Sequence, residues 1–73
     1  MPSLKLYDRV VTLVPLKTEF EKRLLPVGTE AVVADLLGRG GAILEFSFPD
    51  LALHGGRRYD TAVAKPGQFK VES

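Results

Sequence analysis

Histidine occurs once in the 73 residues, at His54, and cysteine not at all. This removes two-histidine metal sites within one chain, thiolate zinc sites, iron–sulfur clusters, disulfides and a cysteine nucleophile. The acidic residues are scattered without a metal-ligand spacing such as that of an EF-hand. His54 precedes Gly55-Gly56 and reads as a solvent-facing turn residue. Ser3, Ser47 and Ser73 lack the strand-turn-helix context of a nucleophilic serine. The glycines of "GRGG", Gly38 to Gly41, could suit a phosphate loop, but "AILEFSF" follows as a strand. A phosphate loop needs a helix whose N-terminus meets the anion. The expectation is no enzyme, no cofactor and no bound metal.

Two sets of residues could bind rather than react. Arg57 and Arg58, with Arg39 and Lys65, are the best basic cluster for nucleic acid. A regular strand sends Arg57 and Arg58 to opposite faces, which halves the patch they could make. Tyr59 could stack a base, but its register with Thr61 and Val63 assigns it to the core. Ten basic against nine acidic residues leave a net charge of +1, without the basic surplus of a phosphate-tracking domain. The second set is the apolar loop "FPDLALHGG". Leu51 and Leu53 are hard to hide in a turn that also holds Pro49 and Asp50. Either they contact a partner, with Asp50, Glu45, Arg57 and Arg58 as a charged rim, or the loop folds back and closes one end of the fold.

The elements that must position these residues read as strands. "YDRVVTLV" is dense in β-branched residues and ends at Pro15. "TEAVVADLL" follows a turn at Gly28, and "GRGG" makes a second turn. "AILEFSF" alternates, with Leu44, Phe46 and Phe48 on one face and Glu45 and Ser47 on the other. "RRYDTAVA" is a fourth strand after the "HGG" turn, and "FKV" closes the chain with Phe69 and Val71 inward. Between the first two strands, Thr18 and Glu21 have the spacing of a capping box, and Phe20 and Leu24 lie one helical turn apart. This predicts one short helical turn from Glu19 to Leu24, ended by Pro26.

The expected fold is therefore all-β: a single domain, 1–73, forming a small five-stranded SH3-like barrel with that helical turn between strands 1 and 2. A reduced OB-fold is the second choice. No repeat or linker divides the chain, and no apolar run approaches the ~20 residues of a spanning helix. A soluble cytoplasmic protein is expected. The eleven leucines exceed what the interior of so small a barrel holds, so several are expected at the surface.

"LKLYDRVVTL", "LPVGTEAVV" and "AILEFSF" together resemble a bacterial family of short SH3-like-barrel proteins of unknown function, over nearly the whole chain from Leu4 to Val71. The Gly-Thr turn entering a valine-rich strand is also similar to KOW-type modules and to the barrel of the nitrile hydratase β subunit. The chain departs from the family pattern at Glu30-Ala31 and in the longer, more apolar "PDLALHGG". The family resemblance implies a noncatalytic protein-binding module, in some members an immunity or antitoxin partner of a neighbouring toxin. The likeness to KOW modules implies nucleic-acid binding instead. A self-associating subunit, joined through an edge strand or the leucine surplus, is the third expectation.

Overall fold

The computed structural model describes residues 3–72; Ser73, set aside above as a nucleophile, lies outside them. The described residues form seven strands: β1 Arg9–Thr12, β2 Leu16–Lys17, β3 Leu24–Leu25, β4 Glu30–Leu36, β5 Ala42–Pro49, β6 Arg57–Ala64 and β7 Phe69–Val71. A 3-10 turn, Gly38–Gly40, joins β4 to β5. Five strands make one antiparallel sheet in the order β6-β5-β4-β1-β7, and β2 with β3 makes a separate two-stranded hairpin. The sheet is open, with β6 and β7 as its edges, so hydrogen bonding does not complete the expected barrel closure.

Alternation explains the inner face. Val10 and Thr12 from β1, Ala31 and Val33 from β4, and Ala42, Leu44 and Phe46 from β5 are buried, and so are Asp60, Ala62 and Ala64 from β6. Leu16 and Leu25, paired across the small hairpin, cover this face from above. The smaller inner residues of β6 lie beside the larger ones of β5, Ala62 opposite Leu44 and Asp60 opposite Phe46, while Ala64 faces Ala42.

Three expectations are corrected. Glu19 to Leu24 is not a helical turn: Thr18 to Arg23 is a loop, and Leu24 already begins β3. Lys22 adopts φ 55° there, outside the right-handed helical region. The reason lies across the fold, in Asp60, whose carboxylate takes the Phe20 and Glu21 amides. Second, Tyr59, Thr61 and Val63 do share a face, but it is the outer one, and Tyr59 is 58% exposed. Third, Val71 is exposed instead of pointing inward, whereas Phe69 packs against the core.

The β5–β6 hairpin is longer than the sheet it belongs to. Pairing with β4 reaches from Ala42 to Glu45, while pairing with β6 continues through Phe46, Ser47 and Phe48 to Pro49. The distal half therefore projects as a two-stranded ribbon, and the molecule measures 41 × 21 × 20 Å.

Candidate functional site: a buttressed hairpin tip

A two-stranded ribbon is marginal in water unless something packs on it. Here the packing comes from the Thr18–Arg23 loop, and its anchor is Asp60. This carboxylate is only 2% exposed, yet both of its oxygens accept hydrogen bonds. Phe20 N–H donates to Oδ1 at 3.1 Å, Glu21 N–H to Oδ2 at 2.9 Å and Thr61 N–H to Oδ1 at 2.8 Å. Burial alone pushes the Asp60 carboxyl up. The amides of Glu21 and Phe20, the Thr18 hydroxyl and the Thr61 amide outweigh it and lower the pKa to about 2. A carboxylate bonded to several backbone amides favours its charged form. Thr18 completes the loop by accepting from Arg23 N–H at 2.9 Å.

With the loop fixed, its side chains reach the ribbon. The Arg23 guanidinium lies 4.5 Å above the centroid of the Phe48 ring, a cation–π arrangement. Glu21 Oε1 sits 3.2 Å from Arg23 and 3.5 Å from Arg58. Arg58 in turn pairs with Asp50 Oδ2, at 2.8 Å from Nη2 and 3.0 Å from Nε. The Arg58 bond and then the Ala52 N–H hold the Asp50 carboxyl below its ordinary value, and the same Asp50 contact raises Arg58. A polar ladder thus runs from buried Asp60 to the first residue of the tip.

The tip itself is ordered by backbone bonds. Asp50 N–H donates to Gly56, Leu53 N–H to Asp50 and Gly56 N–H to Leu53, at 2.8, 3.1 and 2.9 Å. Gly55 and Gly56 supply the positive φ values, 93° and 74°, that let so short a loop return. On this frame Leu51 is 96% exposed and Leu53 40%. The loop does not fold back over the sheet, which settles the alternative in favour of exposure.

The residues singled out from the sequence are divided by the fold. Leu51 and Leu53 stand at the tip. Asp50 and Arg58 are beside them on the inner side, bonded to each other. Arg57 lies on the outer face, where its guanidinium donates to Ser47 Oγ at 2.7 Å. Glu45 is also on that face but farther down, bordering an open hollow of about 270 Å³ with Arg9, Glu30, Val32 and Ser47. The basic set is split further. Arg39 and Lys65 flank the start of β5 and the end of β6, whereas Arg57 and Arg58 begin β6 at the opposite end. About 20 Å of strand separates the two pairs. His54 is exposed in the tip.

Asp60, which holds the arrangement together, carries no local sequence signal: its partners at Phe20 and Glu21 are about 40 positions away. An acidic residue in an otherwise β-forming run is the one hint. Comparisons with known proteins return no match: no family model, no curated protein and no solved structure. No helix among the described residues is long and apolar enough to cross a membrane.

Proposed function

We propose that this chain is a noncatalytic protein-binding module that presents Leu51 and Leu53 to an apolar cleft on another protein. One observation carries the reading: a leucine with nearly its whole side chain in water sits on a hairpin that a buried carboxylate, a cation–π contact and an ion-pair ladder hold in place. A leucine gains about 1.5–3 kcal/mol when a partner covers it, and a pre-ordered tip loses little entropy on binding. Asp50 and Arg58 form the near rim and set orientation, with Arg57 on the far side of the ribbon. Glu45 belongs to the outer face and not to this contact.

The resemblance in sequence to short SH3-like-barrel proteins favours an inhibitor of the immunity or antitoxin type, whose projecting tip enters the cleft of a toxin or enzyme in the bacterial cytoplasm. The same resemblance, with β1 seated between β4 and β7, supports naming the sheet an incompletely closed SH3-like barrel. The KOW-like, nucleic-acid reading has less support: its four cations lie in two distant pairs, and Arg58 is neutralised by Asp50 and Glu21.

The test is capture from native lysate with wild-type protein and with the Leu51→Ser/Leu53→Ser double variant, both treated with nuclease. One protein retained in stoichiometric amount by the wild type, and bound at least about tenfold more weakly by the folded variant, is the expected result. Equal capture by both overturns this surface. Retention lost on nuclease treatment and on raising salt returns the KOW-like reading.

A further inference from the structure

The two sides of the projecting ribbon are protected unequally. On the β5 side, Pro49 lacks an N–H and so cannot donate to an added strand. The β6 side has no such block near the tip. Thr61 fixes the direction of its backbone groups, because its C=O accepts from Glu19 N–H at 2.8 Å, outside the sheet. Strand backbone groups alternate in direction. The N–H and C=O of Tyr59 and Arg57, two and four residues earlier, therefore also face outward. None of the loop and turn hydrogen bonds among the described residues reaches them.

Edge strands are commonly guarded by charge, but both arginines here are drawn away from the edge. Arg57 reaches across the outer face to Ser47, toward β5. Arg58 is held on the inner face by Asp50 and Glu21. What remains along the edge is unpaired backbone and Tyr59, more than half exposed.

We propose that this edge is a homodimer interface in which β6 pairs antiparallel with β6 of a second copy, about a two-fold axis at Arg58. Arg57 then lies opposite the partner's Tyr59, and Tyr59 opposite the partner's Arg57. Each pair exchanges both of its backbone hydrogen bonds, and on the outer face the aliphatic base of each Arg57 side chain adjoins a phenol ring while its guanidinium stays on Ser47. The two Arg58 side chains meet on the inner face, each already neutralised within its own copy. Glu19 closes the edge at Thr61, which stops the pairing from extending and fixes its register. The contact is self-complementary and closes as a two-fold dimer without propagating. The leucine tips point in opposite directions and stay free, so the interface is independent of the contact proposed above.

The interface is small and belongs to the weak class, with a dissociation constant between about 10 µM and 1 mM. Sedimentation velocity of the full chain over that range, with hydrogen exchange at its two ends, tests it. The wild type is expected to pass from monomer to dimer as the Arg57 and Tyr59 amides become protected. Tyr59→Pro removes an N–H that faces outward and leaves the β5 ladder intact; this variant is expected to stay monomeric. Leu51→Ser/Leu53→Ser is expected to dimerise like the wild type. A monomer up to 1 mM overturns the proposal, and so does a dimer lost in the leucine variant. A wild-type dimer whose Arg57 and Tyr59 amides exchange as fast as in the monomer overturns it too, whatever Tyr59→Pro does to folding.

Discussion

The two halves of the β5–β6 hairpin are built from the same alternation but held by different physics. In the proximal half, Ala42 and Leu44 face Ala64 and Ala62 inside the sheet, and burial of apolar surface holds the strands. In the distal half, Phe48 and Arg58 have no sheet beneath them. They are held by Arg23 and Glu21, side chains of a loop that is itself tied to Asp60. The first arrangement is non-directional and tolerant of exchange between similar residues. The second is directional, and removal of one acceptor orphans several donors at once. A small domain with few buried large side chains can thus still project a defined arm, provided that one buried charge is fully satisfied.

Substitutions at the joint between the halves separate these forces. Phe46→Ala, at the boundary, is expected to cost about 3–5 kcal/mol, most of the stability available to a chain this size; denaturant titration measures it. Asp60→Asn comes next. An amide offers one acceptor oxygen and turns an NH₂ toward amides that also donate, and the melting temperature is expected to fall by on the order of 10 °C. The pH dependence follows from the same group. The folded carboxyl titrates at about 2 and the ordinary value is 3.8, so its contribution is complete above 3.8 and is lost as pH falls from there toward 2. Thermal melts between pH 5 and pH 2 should show this decline in the wild type and a shallower one in Asp60→Asn, where Asp50 still contributes in the same direction.

Smaller effects are expected toward the tip. Arg58→Met breaks only solvent-exposed pairs, and the melting temperature should move by a few degrees or less and converge with that of the wild type at high salt. Leu51→Ser is expected to leave stability within about 0.5 kcal/mol of the wild type while weakening partner capture.

Most of the apolar framework was legible in the sequence. Four of the five sheet strands fall within the runs expected to hold them and β5 runs one residue further, to Pro49, because β-branched density and glycine turns are local signals. Tyr59 was not legible, because the odd positions of β6 are bulkier than the even ones and pattern alone places the bulk inside. The inner face holds Ala62 and Asp60 there because Leu44 and Phe46, opposite them on the neighbouring strand, already fill that space. The spacing of Thr18 and Glu21 misled for a related reason. Thr18 does bind a backbone amide ahead of it, but it is that of Arg23. The amides that a helix would have left to a local cap go instead to a carboxylate on β6. The exposure of Leu51 and Leu53 was one of two readings, decided by the tip hydrogen bonds and by Arg58 on Asp50.

The most direct measurement is residue-resolved hydrogen exchange of wild type and Asp60→Asn under native conditions, in dilute solution. Faster exchange of the cross-strand amides of Phe48, Arg58 and Asp50, with those of Leu44, Ala62 and Val33 unchanged relative to global stability, is expected if Asp60 holds the ribbon. Uniform acceleration across both halves, or no change at Phe48 and Arg58, would contradict it: the ribbon would then stand without the clasp, and the polar ladder would be incidental to presenting Leu51.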